Sequence, residues 1–129
     1  NIMRIYGIGA DIVRVGRVKS LLKNKLFLTR VFSLDEISKC KKKLNSSNCF
    51  AKRFAAKEAF SKALGTGISK GINFKEIIVL NEKNGKPFIR VLGITKRIVE
   101  KKIKKKKYKI SLSLSDEKNY AVAFVTISL

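Results

Sequence analysis

The chain has no histidine and only two cysteines, which excludes several kinds of catalytic site. Neither a zinc cluster nor a cysteine–histidine nucleophile can be assembled from this set. Cys40 and Cys49 lie nine positions apart. We expect two reduced thiols in a reducing compartment, with a disulfide as the less favoured alternative.

Long hydrophobic runs and proline are also scarce. The longest uncharged stretch, residues 119–129, has about half of the ~20 residues that a membrane helix needs, so we expect a soluble protein. With 45% apolar residues and one proline, the composition predicts a single globular domain, residues 1–129, and not a disordered segment. The chain starts at Asn1 without an apolar signal region, and we expect a trimmed form of something longer.

Acidic residues are few. Nine aspartates and glutamates stand against 30 lysines and arginines, and the formal charge of +21 predicts a polyanionic partner: nucleic acid, an anionic membrane, a polyphosphate ligand or an acidic protein. The lysine tract at residues 101–109 motivates a non-enzymatic RNA-binding protein as the alternative function. Nucleic acid is the less favoured partner, because the tract has one aromatic residue, Tyr108, and no RNA-recognition motif occurs.

The hydrophobic pattern switches between strand and helix periods along the chain. We predict strands at residues 2–12, 72–80, 87–92, 108–115 and 120–127, and helices at residues 14–25, 34–44, 49–64 and 95–107. Ser33 is the predicted N-cap of the second helix, and Asn84 and Gly85 form the turn between the second and third strands. The sum is an α+β domain.

The helix predicted at residues 49–64 is apolar nearly all round, so each charge on it needs a reason. Glu58 and Lys62 share one side, and Arg53 and Lys57 share another. One interpretation is an ordinary ion pair for Glu58 and Lys62 and a solvated basic edge for the other two. The alternative is a charged ligand at the surface of the helix.

Asp11 ends a glycine-rich strand, where a carboxylate either caps a helix or projects into a crevice. Together with Glu58 it would supply two oxygen ligands of the kind that Mg²⁺ takes, and Lys62 would balance the charge of a pyrophosphate. The Gly-Thr-Gly turn at residues 65–67 has main-chain amides that can approach a phosphate. A helix C-cap at Gly65 would account for one of the two glycines without any ligand.

Two segments resemble the signatures of holo-acyl-carrier-protein synthases, in the 4′-phosphopantetheinyl transferase superfamily. They are GIGADIV at residues 7–13 and RFAAKEAFSKALGTG at residues 53–67, and the resemblance continues through NGKP at 84–87, SLS at 113–115 and YA at 120–121. It implies a magnesium-dependent enzyme that moves the phosphopantetheine arm of coenzyme A onto a serine of an acidic acyl carrier protein, in support of fatty acid biosynthesis. It also implies an antiparallel sheet packed on the long buried helix, and a homotrimer with active sites at subunit boundaries.

The resemblance also implies roles for individual residues. Asp11 and Glu58 look like the family's magnesium ligands, and Lys62 looks like its phosphate-facing lysine. Because the chain lacks histidine, we expect the serine proton to reach Glu58 or Asp11, preferably through a water held by Asp11 and the metal. Further contacts to coenzyme A are expected at Arg53, Lys57, Gly65, Gly67 and Pro87.

The family's first helix docks the carrier protein, and Arg17 looks like its basic docking position, with Arg14 and Lys25 as helpers. The sequence departs from the family where Ser111 and Asp116 stand in place of histidines, which puts any histidine contact to the nucleotide in doubt. The residue bias of an AT-rich genome fits a bacterial cytoplasm or a plastid such as that of an apicomplexan parasite, and we expect the plastid.

Overall fold

The computed structural model describes residues 2–66, 71–105 and 107–129. Its elements in chain order are β1 (Ile5–Arg14), α1 (Val15–Leu21), α2 (Lys25–Val31), α3 (Leu34–Lys41), α4 (Ser46–Leu64), β2 (Ile77–Asn81), β3 (Pro87–Val91), α5 (Gly93–Ile103), β4 (Lys109–Asp116) and β5 (Tyr120–Ser128). A 3₁₀ turn at Phe74–Glu76 leads into β2. The predicted α+β class is confirmed, and none of the described helices has both the length and the apolar character needed to cross a membrane.

The strands form two antiparallel sheets. β1, β5 and β4 are hydrogen-bonded in that order, and β2 pairs with β3 across the predicted turn, where Gly85 has a φ of 93°. Alternation along β5 directs every second side chain to the interior, where α4 packs on β1 and β5. The buried side chains of β5 include Ala121, Ala123, Val125 and Ile127.

The opposite face of the three-stranded sheet is apolar as well, yet it is open to solvent. Ile8 and Ile12 of β1 are 61% and 64% exposed, and Val122 and Phe124 of β5 are 38% and 45% exposed. The register places Ile12 opposite Val122 and Ala10 opposite Phe124, so these side chains form one patch across the two strands. We call it the exposed sheet patch; contiguous apolar surface of this kind marks contact sites for other molecules.

β1 runs directly against α4 because two of its residues have no side chain. Gly7 and Gly9 lie two positions apart on one face of the strand, and a Cβ on either would overlap main-chain atoms of Ala59 or Ala63 in α4. The next residue on that face is Asp11. The glycines therefore bring this carboxylate to the surface of the helix.

Gly9→Ala is expected to lower the free energy of unfolding by about 1–3 kcal/mol or more, because the overlapping atoms belong to the main chain and cannot rotate away. Urea denaturation measures the loss. Gly16→Ala is the matched control, since an added Cβ there meets nothing within 4 Å, and alanine in a helix is favoured over glycine by about 0.5–1 kcal/mol. Equal losses in both variants would contradict the close packing.

The helix predicted at residues 14–25 is shorter than expected, and a second helix, α2, follows it. α1 ends at Leu21, and Asn24 begins α2 by accepting hydrogen bonds from the main-chain N–H groups of Leu26 and Phe27 at 2.9 and 3.4 Å. The seven residues of α2 are too few for a clear hydrophobic period, so α2 was not predicted. The other predicted elements are present with shifted ends; α4, for example, begins at Ser46.

The expectation of two reduced thiols is wrong. Cys40 lies near the end of α3 and Cys49 in the first turn of α4, and the short turn between these helices brings their Cα atoms to 5.4 Å. A disulfide joins them, at a Cα separation that suits such a bond. Spacing in sequence did not reveal this, because the pairing depends on how two helices fold back on each other.

Candidate active site

Asp11 meets Lys62 where β1 crosses α4. Lys62 Nζ lies 3.0 Å from Asp11 Oδ1 and donates a second hydrogen bond, 3.1 Å long, to the main-chain oxygen of Ala10. The Asp11 side chain is only 14% exposed, and its Oδ2 is buried without a hydrogen-bond partner. An unpaired buried oxygen is costly for a folded protein. Asp11 Oδ2 is therefore an acceptor available to a cation or to a ligand donor.

Glu58 lies one turn before Lys62 on α4 and completes a cluster of mixed charge. Burial raises the pKa of Glu58, the nearby Asp11 carboxylate raises it further, and Lys62 and Arg17 oppose the shift. The structure thus brings together the three residues that the sequence placed in one site, Asp11, Glu58 and Lys62. We call them the carboxylate–lysine cluster.

The cluster has the chemistry of a site for a hard cation and an anion. Carboxylate oxygens are the ligands of such cations, and the ammonium of Lys62 is a donor for phosphate oxygens. Among the described residues, no group of three or more histidines, cysteines, aspartates or glutamates comes together. A metal held here by protein groups alone would have two carboxylates, and water or substrate would supply the other ligands.

The predicted docking residues lie on the first elements of the chain. Arg14 ends β1, Arg17 lies on α1 and Lys25 begins α2, and all three are exposed. The charge of Arg17 acts on Glu58. Arg17 therefore links the first helix electrostatically to the carboxylates.

Arg53 lies at a different site, a cavity of about 680 Å³ beside the N-terminal half of α4 that is lined by several cations. Arg53 is 5% exposed; it donates to Asn81 Oδ1 at 3.1 Å and to Cys49 Sγ at 3.2 Å, while its Nε is buried without a partner. Lys39 also donates to Asn81 Oδ1, at 2.7 Å. Burial lowers the pKa of Lys39, and Arg53 and Lys43 lower it further, as crowded cations do when no anion separates them.

The sequence did not predict Lys39, Lys43 or Lys52 as members of this cavity. Lys39 and Lys43 stand in or near a lysine run that hides their positions, and the packing of α3 against α4 brings that part of the chain to Arg53. Lys52 directly precedes Arg53 on α4. We refer to the site below as the cationic cavity. Its composition suits an anionic ligand.

Lys57 does not reach either site. Its side chain is completely buried, and its ammonium donates to Glu36 Oε1 at 2.8 Å and to the main-chain oxygens of Phe74 and Ile77 at 2.7 and 2.6 Å. Burial lowers the pKa of Lys57 to about 8, an effect that the Glu36 carboxylate opposes. Two interpretations of Lys57, a solvated basic edge and a contact to coenzyme A, are therefore wrong. All three donors of its ammonium are engaged inside the core.

The remaining predicted positions are spread around the two sites. Gly65 is the left-handed C-cap of α4, with a φ of 89°, and Gly67 lies outside the described residues. Pro87 begins β3 opposite Asn81, the residue that binds Arg53. Ser111 is exposed on β4, whereas Asp116, at the end of that strand, lines the cationic cavity.

The chain is similar over its whole length to proteins of one family. The profile of the 4′-phosphopantetheinyl transferase superfamily matches residues 7–125. Holo-[acyl-carrier-protein] synthase of Pelagibacter ubique is 50% identical, covering 97% of this chain and 98% of that protein. The Ehrlichia chaffeensis enzyme of the same name is 48% identical, covering 95% and 96%.

Solved structures confirm the fold that the resemblance implied. A holo-(acyl-carrier-protein) synthase from Bacillus anthracis, in complex with CoA (3′,5′-ADP), superimposes with a TM-score of 0.79 at 35% identity, covering 98% of both chains. The Helicobacter pylori enzyme in complex with coenzyme A gives a TM-score of 0.77 at 32% identity, covering 93% of this chain and 98% of that one. The chain therefore belongs to the 4′-phosphopantetheinyl transferase superfamily, in its family of holo-[acyl-carrier-protein] synthases.

Proposed function

We propose that this protein transfers the 4′-phosphopantetheine group of coenzyme A to a serine of apo acyl carrier protein and releases adenosine 3′,5′-bisphosphate. The observation that carries the proposal is the carboxylate–lysine cluster, in which Asp11 and Glu58 lie beside the ammonium of Lys62. The relatives at 48–50% identity and the complexes with coenzyme A support it. They lend no support to the RNA-binding alternative.

The residues of the cluster fit a magnesium ion. Asp11 and Glu58 offer carboxylate oxygens, Asp11 Oδ2 is buried without a partner, and two carboxylates are a usual protein contribution to Mg²⁺. When bound, Mg²⁺ would neutralise charge on the pyrophosphate of coenzyme A. Asp11 and Glu58 are the residues that would hold it.

The chain's own groups account for the rest of the chemistry. The ammonium of Lys62 binds an anionic oxygen of the pyrophosphate and stabilises it as the bond to the leaving nucleotide breaks. The serine proton passes to a carboxylate, because no histidine is available. The two candidates are Glu58 itself and a water held by Asp11, the route expected from the sequence.

The nucleotide half of coenzyme A occupies the cationic cavity in this proposal. Arg53 and the surrounding lysines match its phosphates in charge. Arg53 and Lys62 are nine residues apart on α4, roughly 14 Å along the helix axis. A nucleotide with a pyrophosphate and a long pantetheine arm spans such a distance.

Intact-protein mass spectrometry of the carrier tests the function. We expect an apo acyl carrier protein, incubated with the enzyme, coenzyme A and Mg²⁺, to gain the mass of one phosphopantetheine group. A carrier whose target serine is replaced by alanine should gain nothing. A carrier that stays unmodified, together with a salt-sensitive complex between the protein and RNA, would reverse the assignment.

Arg17→Glu is expected to raise the KM for the carrier protein about tenfold or more and to leave the affinity for coenzyme A unchanged, since a docking charge acts on the encounter with an acidic partner. Steady-state kinetics with carrier as the varied substrate, and calorimetry with coenzyme A, separate the two effects. Lys19→Glu makes the same charge reversal on another side of α1 and should change KM less. Equal loss of carrier use and coenzyme A binding would contradict the docking role.

The proposal includes a homotrimer in which the exposed sheet patch is covered by another copy. The apolar side chains of that patch, including Ile12 and Phe124, are unusual for a surface of a monomer; the number three rests on the family resemblance. Light scattering after size exclusion should give three times the chain mass of 14.5 kDa. Phe124→Lys should shift the mass toward that of one chain.

We also propose a bacterial cytoplasm as the place of action. The curated relatives at 44–50% identity are bacterial, whereas the Plasmodium yoelii structure is 32% identical to this chain. The plastid that the residue bias favoured is not supported by this ranking.

A further inference from the structure

The cationic cavity contains acidic groups that an anion-binding site does not need. Its lining has four basic side chains, those of Lys39, Lys43, Lys52 and Arg53, and two acidic ones, those of Glu82 and Asp116. The whole chain has only nine acidic residues against 30 basic ones. Two of these nine acidic residues therefore line a site that is expected to bind an anion.

Asp116 is fixed at the wall of this cavity by contacts to α4. Its Oδ2 accepts a hydrogen bond of 2.9 Å from Asn48 Nδ2, and its Oδ1 lies 3.5 Å from Lys52 Nζ. Asn48 Nδ2 also lies 2.9 Å from the main-chain oxygen of Glu117, so the β4–β5 turn has a second tie to α4. The carboxylate is thus held in place and not free to swing into solvent.

The ion pair between Asp116 and Lys52 contributes little to stability. The two side chains are 29% and 33% exposed, and pairs with this exposure are worth about 0–1 kcal/mol. The electrostatic effect on a bound anion is larger. Asp116 neutralises Lys52 and repels a phosphate in the same cavity, and at such short range one charge changes anion affinity by about three- to tenfold.

We infer that Asp116 limits the affinity of the cationic cavity for the bisphosphate nucleotide, so that the product is released after transfer. The inference rests on the proposed function, because it takes adenosine 3′,5′-bisphosphate to be the ligand of this cavity. The product keeps the phosphates that the cavity binds. Four uncompensated cations would hold it after the reaction, and Asp116 removes part of that attraction.

Asp116→Asn tests the inference through the sign of its effect. Asparagine keeps an oxygen for Asn48 and removes the charge, so we expect adenosine 3′,5′-bisphosphate to bind about three- to tenfold more tightly by calorimetry, with a steeper dependence on salt. The KM for coenzyme A should fall, and kcat should fall where product release limits turnover. A merely structural role would weaken binding instead. Glu117→Gln removes a neighbouring charge that does not line the cavity and should change the affinity less.

Lys52→Gln provides the second arm. It should weaken nucleotide binding, and the gain from Asp116→Asn should shrink in its background, because part of that gain comes from freeing Lys52. Unchanged or weaker binding by Asp116→Asn overturns the inference. If the wild type transfers phosphopantetheine but binds no measurable nucleotide, the inference is overturned and the proposed function stands. If the wild type does not transfer phosphopantetheine, both are overturned.

Discussion

Glu58→Gln is expected to lose phosphopantetheine transfer by about a thousandfold or more while the protein remains folded. Glutamine is nearly isosteric and suits a helix, but it removes a negative charge from the carboxylate–lysine cluster and a proton acceptor from the site. The side chain is half-buried, and its ionised form has an unfavourable interaction with Asp11 that the variant would relieve. Stability should therefore be retained or slightly raised.

Single-turnover transfer to apo carrier protein, with thermal melting in parallel, measures both parts of this prediction. Glu100→Gln makes the same chemical change on α5, away from the cluster, and should transfer at the wild-type rate. Transfer by Glu58→Gln at that rate would remove Glu58 from the site. A large loss of melting temperature would instead mean that the residue serves the fold.

Lys57→Met is expected to destabilise the fold by about 3–5 kcal/mol. The substitution keeps an unbranched side chain in the core but leaves the buried Glu36 carboxylate without its counter-charge. It also removes the donor for the main-chain oxygens of Phe74 and Ile77. Each buried polar group that is left unpaired costs the folded state its full desolvation penalty. A variant that is partly unfolded at room temperature is therefore within the expected range.

Urea denaturation of Lys57→Met against Lys52→Met measures this effect. Lys52 pairs with Asp116 at 3.5 Å where both side chains are partly exposed, and its loss should change stability by less than about 1 kcal/mol. Adding Glu36→Leu to Lys57→Met should recover part of the stability, because no buried charge then remains unpaired. If Lys57→Met unfolds at the wild-type urea concentration and fails to bind coenzyme A, the lysine contacts ligand after all.

The features that sequence predicted well are those that depend on neighbouring residues. The left-handed cap at Gly65 ends α4 where the apolar pattern stops, and the Asn84–Gly85 turn sets the β2–β3 hairpin. Asp11 was harder, since it lies far from Glu58 in sequence. Its place at the end of a glycine-rich strand made it a candidate, and the family motif supported its pairing with Glu58. The close approach of Gly7 to α4 explains physically why the motif has that spacing.

The features that sequence missed depend on contacts between distant segments. Lys57 has the same helical spacing from Arg53 as a solvated edge would show, and only Glu36, 21 residues away on α3, makes its burial tolerable. The Cys40–Cys49 disulfide depends on a helical hairpin. α2 had one usable signal, the N-cap Asn24, which the hydrophobic pattern around it obscured.

A crystal structure of the protein with coenzyme A and Mn²⁺ in place of Mg²⁺ tests the central claim most directly. The anomalous signal of manganese should give one peak within bonding distance of carboxylate oxygens from both Asp11 and Glu58, with the pyrophosphate at Lys62. Bound coenzyme A with the metal held elsewhere, and Asp11 Oδ2 still without a partner, would contradict the account.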